Sequence, residues 1–482
     1  MPDLRPILHI NGLLLTGLAI AMLIPSVADL LSGHPDWLAF WASAAATGFF
    51  GMALVLSNPR PRVGLTLKQG FILTASAWVL VTVFSALPFR FADIELSLGG
   101  SFFEAASGLT TTGSSVMSGL DTMAPGILLW RALLHLIGGY GIIVMAIAIL
   151  PFLGIGGMQL MKTESSDTMD KVLPRARQIT VVTGIVYLVL LALCTAGYSI
   201  GGMDWFDAVT HAMATVSTGG FSTSDKSLAN WPGEIVLWNA VLFMILGALP
   251  FGLYLRMVKG SWRALVQDQQ VRFLMATLAF FILTTTAWLV ADRDFAVWEA
   301  FRQSAFNIVS IVTTTGFATA DYTQWGAYPV AVFAVLLSVG GCTGSTSGGI
   351  KMLRFLVIWG QARKHMHSIV TPHGVFHQRY NELPITPEVV NSVLVFVFTY
   401  LTSLVVLSLM VSATGLDLVS SFSGVAASLS NAGPGLGPIL GPVGNYQSVS
   451  ETAKWLFAFA MILGRLELFT ILVLFTRHFW RA

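Results

Sequence analysis

Four short segments of this chain carry oxygen ligands and little else: Leu109-Thr-Thr-Thr-Gly113, Val216-Ser-Thr-Gly-Gly220, Val312-Thr-Thr-Thr-Gly316 and Leu429-Ser-Asn-Ala-Gly433. Their final glycines are 107, 96 and 117 residues apart. A turn of backbone carbonyls and hydroxyls can replace the hydration shell of a dehydrated cation. Glycine suits such a turn because it adopts dihedrals that a side chain forbids. The residues expected to line the path are Thr111, Thr112 and Gly113; Thr218, Gly219 and Gly220; Thr314, Thr315 and Gly316; and Asn431, Ala432 and Gly433. One motif repeated four times in a single chain predicts a pseudo-symmetric pore rather than four unrelated loops.

Hydropathy supplies the elements that must hold these tips. The chain has 482 residues, 55% hydrophobic and 10% charged, with a mean hydropathy of +0.75, which is too apolar for a soluble protein of this size. Ten apolar runs, at 7–31, 36–57, 70–91, 126–154, 178–201, 235–258, 272–292, 328–357, 388–413 and 451–476, have the length that ~30 Å of hydrocarbon requires. The stretches leading into the tips, from Leu98, Asp204, Val297 and Asp417, are 10–14 residues, too short to cross. They read as re-entrant half-helices, whose negative C-terminal ends would point at the axis. The expected fold is an all-α integral membrane protein, with an N-terminal helix pair (1–60) and four membrane–pore–membrane repeats (61–158, 159–260, 261–365 and 366–482). Ser26-Val27-Ala28 loosely resembles a signal-peptidase site, but the run at 7–31 is long and a second span follows, so an uncleaved pair is expected.

With both termini on the cytoplasmic side, 19 of the 26 Lys and Arg fall on that side, Lys351 and Arg354 among them, as the positive-inside bias requires. Arg90, Arg131, Lys226, Arg293, Arg302 and Lys454 fall in the outer half, and Arg465 inside the last span. Acids such as Asp93, Asp121, Asp225 and Asp321 lean outward, where a negative vestibule would concentrate cations. Cys194 and Cys342 give no disulfide framework and no metal-ligand spacing. HExxH, GxSxG and Walker A motifs are all missing, which argues against a membrane enzyme.

The second span of each unit carries small residues at a similar depth: Ile137–Gly141, Leu246–Gly252, Val339–Gly349 and Leu463–Glu467. These read as helix breaks, which at this depth belong along a cavity or at a moving part. The third is the strongest. Gly340, Gly341, Cys342, Thr343, Gly344, Ser345, Thr346, Ser347, Gly348 and Gly349 cannot hold a stable helix and should form a loop below the tips. Pro250 alone could kink the second. Arg465 lies where a lipid-facing charge costs at least ~2.5 kcal/mol, so it should face the pore as a barrier to cations. Its counterparts are Gly139, Ala248 and Gly341, and direct pairing with Glu467, two residues on, is disfavoured on a helix. Glu104, His211 and Asn307, each nine residues before a tip glycine, are expected to brace the tips' backbone; the fourth unit has Gly424.

The motifs Phe103–Gly113, Ser217–Ser222, Thr313–Phe317 and Ser430–Gly435 resemble the filter motifs of the Trk/Ktr/HKT superfamily, and most closely those of the membrane subunits of bacterial Trk potassium-uptake systems. The resemblance covers essentially the whole chain. It implies a potassium-selective channel subunit of the bacterial inner membrane, with potassium bound at the tips as substrate and no covalently bound cofactor. It implies that the loop 340–349 and Arg465 act as an intramembrane gate, that the chain forms a homodimer, and that a cytosolic TrkA-like nucleotide-binding subunit regulates it. In this family a serine in the first tip accompanies sodium permeation in some members, so Gly113 argues for potassium. A symporter coupled to protons or sodium is the alternative, against which stand repeats of like orientation and few buried acids.

Overall fold

The computed structural model describes residues 3–58, 65–148, 172–258, 260–374, 376–381 and 383–481. The end of the sequence-read span 126–154, most of the basic loop 158–177, the residues Arg60, Arg62, Lys162, Lys171 and Lys259, and the repeat junctions at 60/61 and 158/159 lie outside them. Among the described residues, seven helices are long and apolar enough to cross a membrane, or nine when two bent pairs count as one span each. The remaining expected run, 328–357, is not a continuous helix. It is a ten-residue helix, Ala327–Leu336, then an irregular stretch, then Met352–Val370, which runs well past residue 357 into the segment expected to be loop.

The first two helices, Arg5–Ser32 and Trp37–Ser57, form the antiparallel pair that the sequence suggests. They touch through small residues: a Cβ at Gly12 would lie 2.7 Å from the Gly51 carbonyl oxygen. Such small-residue seams are how membrane helices approach without a hydrophobic driving force. The pair is tied to the rest by Asp29, whose buried carboxylate accepts from the Gly126 amide at 2.5 Å, at the start of the helix Pro125–Ala148.

Four short helices end in the Thr/Gly tips: Leu98–Leu109, Trp205–Val216, Val297–Val312 and Leu418–Ser430. Three have 12 or 13 residues; the third has 16, because it starts at Val297, 19 residues before its tip glycine, where the other three start 15 before theirs. Ser97 and Asp417 cap the first and fourth, accepting from Gly100 N and Ser420 N, so the start points follow from side-chain capping.

Three of the four expected breaks are present. After Ala248 the chain bends by 92° before Phe251–Val258, and after Arg465 by 103° before Phe469–Phe475. Pro250 explains the first, having no amide to continue the ladder. At the second, Glu467 and Leu468 both take positive φ, 59° and 47°. The break expected at Ile137–Gly141 is absent: Pro125–Ala148 runs straight through it. Its glycines serve close approach instead. A Cβ at Gly138 would lie 1.8 Å from the carbonyl oxygen of Leu109, the last residue of the first short helix. Gly247 and Gly464 seat the ends of the second and fourth short helices likewise, against the Val216 and Leu429 carbonyls.

Candidate functional site

All four tips are built the same way. Thr112 N donates to Ser107 O, Gly219 N to Ala214 O, Thr315 N to Ser310 O and Ala432 N to Ala427 O, at 2.7–2.8 Å. The residue before each of these amides is left-handed: Thr111, Thr218, Thr314 and Asn431 have φ of 53°, 52°, 57° and 54°. This is the Schellman ending of a helix, in which that position is ordinarily glycine. A β-branched residue there is a genuine outlier, which persists only where the surroundings over-determine it. Three threonines in that state, at equivalent positions, mark each of these tips as strained. Two buried oxygens in them, Thr111 Oγ1 and Asn431 Oδ1, have no hydrogen-bond partner among the described residues.

The glycines that follow, Gly113, Gly220, Gly316 and Gly433, have φ of 86°, 82°, 86° and 93°. They also close the four tips into a ring. A Cβ on Gly113 would lie 2.2 Å from Gly219 O, on Gly220 1.9 Å from Thr315 O, on Gly316 2.5 Å from Ala432 O and on Gly433 2.9 Å from Thr112 O. Each glycine thus sits against the carbonyl before the glycine of the next unit, and the fourth returns to the first. The twelve tip residues singled out from sequence all belong to this ring.

Glu104, His211 and Asn307 hold the chain just past the tips. Glu104 accepts from Val116 N at 3.0 Å, His211 Nε2 meets Ser222 Oγ at 2.9 Å, and Asn307 Oδ1 accepts from Thr319 N at 3.3 Å. In the fourth unit Ser423 takes this part, accepting from Leu436 N at 2.8 Å.

Sequence reasoning missed Arg131, which it placed among the outer charges. It is buried, bonded by Nε to Glu104 at 2.9 Å and by Nη1 to the Ser222 carbonyl at 2.8 Å. It therefore bolts the first unit to the second. Losing one member of such a pair costs about 3–5 kcal/mol, because the other charge stays buried. The available signal was a lone arginine with His135 one turn on, inside an otherwise uncharged helix.

The Gly-rich stretch is irregular from Leu337 to Lys351 and lies directly against the tips. Gly348 N donates to Thr314 Oγ1 at 2.7 Å, Thr218 Oγ1 to Thr346 Oγ1 at 3.1 Å, and a Cβ on Gly348 would lie 2.0 Å from Ser430 O. It also fills the break in the second unit's helix. Cys342 N donates to Ala248 O at 2.9 Å, Thr346 N to Gly247 O at 3.2 Å, and Phe251 N to Gly344 O at 2.9 Å. Groups orphaned by Pro250 are thereby paired, as buried backbone must be.

Arg465, 3% exposed, donates from Nη1 to Thr346 O at 2.9 Å rather than pairing with Glu467. With Ser347, Lys351 and Glu467 it borders a cavity of about 10 Å³, room for roughly one water. Glu467 instead pairs with Arg354, whose guanidinium also lies 3.6 Å from the Phe396 ring centroid. Lys351, read from sequence as near the cytoplasmic end, is 5% exposed and donates to Ser347 O; Arg354, read as a cytoplasmic-side charge, is 1% exposed. Both differ from expectation because the broken helix folds this end inward.

A hydrogen-bonded relay leaves the loop in the other direction. Thr343 N donates to Gln270 Oε1 at 2.8 Å, Gln270 Nε2 to Tyr380 Oη at 2.6 Å, and Tyr380 Oη to Asp268 at 2.9 Å. Tyr380 belongs to a small antiparallel strand pair, Arg379–Tyr380 with Leu383–Pro384. Among the described residues no group of three or more His, Cys, Asp and Glu could hold a metal ion.

A family model described as TrkH, cation transport protein, matches residues 38–481. The Trk system potassium uptake protein TrkI of Halomonas elongata is 42% identical over 99% of this chain and 97% of its own length. The Trk system potassium uptake protein TrkH of Escherichia coli K12 is 33% identical over 99% of both chains. Among solved structures, that of the potassium transporter TrkH from Vibrio parahaemolyticus superposes with a TM-score of 0.92, at 33% identity and with 100% of both chains covered.

Proposed function

This chain belongs to the TrkH family of cation transport proteins, and from that premise we propose that it is a potassium-selective uptake channel subunit. The four tips form its selectivity filter, and the loop 340–349 with Arg465 forms its gate. The observation that carries this reading is the closed ring of four strained tips, each glycine seated on the next unit's carbonyl. Carbonyl rings of that kind substitute for the hydration shell of a monovalent cation. The loop packs against three of the four tips, and a buried guanidinium holds it by Thr346 O. Potassium is the transported substrate. The protein sits in the bacterial inner membrane with both termini cytoplasmic, and its repeats follow the divisions 61–158, 159–260, 261–365 and 366–482. It works as a homodimer under a cytosolic TrkA-like nucleotide-binding subunit.

Purified protein in liposomes tests this. A current that reverses at the potassium Nernst potential and ignores a proton or sodium gradient is expected; a reversal displaced by either gradient would establish coupled symport instead.

The relay through Gln270 and Tyr380 supports regulation from the cytoplasmic side, because it joins the gate loop to the strand pair by two consecutive hydrogen bonds, and a third anchors Tyr380 to Asp268. Gln270→Leu strands the buried Thr343 amide, a loss of about 1–3 kcal/mol. The expected outcome is a basal potassium flux raised about tenfold and a blunted response to the regulatory subunit, read by flux with and without that subunit. Unchanged basal flux with full regulation would remove the relay from the gating pathway.

A further inference from the structure

The second tip departs from the others in composition. The residue before its final glycine is Gly219, where the first and third tips have Thr112 and Thr315 and the fourth has Ala432. In the first and third tips that threonine is an internal brace: Thr112 Oγ1 bonds Thr110 Oγ1 at 2.7 Å, and Thr315 Oγ1 bonds Thr313 Oγ1 at 2.8 Å. The second tip has no such hydroxyl. The space is occupied instead by an imidazole from another unit: a Cβ on Gly219 would lie 2.4 Å from both Cγ and Cδ2 of His135.

His135 is fully buried and bonded at both nitrogens. Phe221 N donates to Nε2 at 3.2 Å, which makes Nε2 the unprotonated nitrogen and leaves Nδ1–H to donate to Gly108 O at 2.8 Å. The ring therefore spans from the end of the first short helix to the residue just past Gly220. It stacks on Phe221 with centroids 4.2 Å apart, while Arg131 lies 4.0 Å from the same ring and bonds the next carbonyl, that of Ser222. The equivalent positions, three before Gly247, Gly340 and Gly464, are Met244, Leu337 and Met461, which can make no such bonds.

We propose that His135 is a selectivity-positioning residue: its neutral imidazole, in the Nδ1–H tautomer, replaces the missing threonine brace and fixes the carbonyl geometry of the second filter segment. Gly219 is glycine to admit it. The proposal rests on the reading of the tips as a potassium filter.

The test is a double-mutant cycle scored as potassium-over-sodium permeability in liposomes, with Gly113→Ser run in parallel. His135→Ala is expected to lower discrimination at least about fivefold. Gly219→Thr alone is expected to be worse, since its side chain meets the ring. The double variant, in which the introduced threonine can reach Ser217 as Thr112 reaches Thr110, is expected to recover discrimination beyond either single change. Additive effects, or parental discrimination in His135→Ala, would overturn the brace. Should His135→Ala not be recovered folded, His135→Gln and His135→Leu decide: both fill the space but only glutamine accepts from Phe221 N, so equal discrimination overturns the proposal. If Gly113→Ser shifts selectivity while the His135 variants do not, the brace fails and the filter stands. If none of them shifts it, the filter reading falls as well.

Discussion

Gly113→Ser is expected to lower potassium-over-sodium discrimination by at least about tenfold, equivalent to about 1.4 kcal/mol, while leaving the protein folded. The added Cβ meets two obstacles. The position has φ of +86°, a conformation that costs an L side chain about 1–2 kcal/mol. The Cβ would also lie 2.2 Å from Gly219 O, so that carbonyl must turn or retreat. That carbonyl is one of the four proposed ligands, and a filter that has lost its spacing loses its preference between ions that differ mainly in size. The distances also rank the four glycines. The approach is tightest at Gly220, 1.9 Å, and loosest at Gly433, 2.9 Å. Gly220→Ser should be the most damaging of the set and Gly433→Ser the mildest. Measured reversal potentials in mixed potassium and sodium decide it, and unchanged selectivity in Gly113→Ser would sink the assignment of the filter.

Arg465→Ala is expected to raise basal potassium flux by one to two orders of magnitude. Two effects act together. A potassium ion passing within about 6 Å of the guanidinium meets a repulsion of about 2.8 kcal/mol at an effective dielectric of 20, roughly a hundredfold in rate. The same guanidinium donates to Thr346 O and so holds the proposed gate loop in place. Arg465→Lys separates them: a lysine keeps the charge but not the planar reach to that carbonyl, so its flux should fall between the parent and the alanine variant. Deletion within Thr343–Ser347 should also raise flux. A leak no greater than the parent's in both Arg465→Ala and the deletion would remove the gate from this loop.

What could be read from sequence was local. Each short helix ends by a motif spanning six residues, so the Thr/Gly signal, the cap at Ser97 or Asp417 and the length between them were all visible in one stretch. The irregular stretch 337–351 was legible for the same reason, since five glycines within eleven residues defeat a helix whatever surrounds them. Charges were harder. Arg131 pairs across 27 residues and bonds a carbonyl 91 away, and Gln270 reaches Thr343 across 73. Nothing beside them in the chain announces those partners. The unbroken helix through Ile137–Gly141 shows the same limit from another side. A glycine can break a helix or admit a neighbour, and the neighbour here is the Leu109 carbonyl, known only once both helices are placed.

The ring of tips is closed by the two ends of the chain. Ser114 Oγ donates to Gly433 O at 2.7 Å and Asn431 Nδ2 to Thr112 Oγ1 at 3.0 Å, each across 319 residues. A ribosome adding about 5–20 residues per second takes roughly 15–60 s to cover that distance. During biosynthesis, then, three walls of the proposed pore are made while the fourth is still missing. Arg465 follows Gly433 by only 32 residues, so the last wall and the proposed blocking charge leave the ribosome within seconds of each other. If the tips are the filter and Arg465 the plug, as proposed, the order of synthesis leaves little time in which a complete pore stands without its plug.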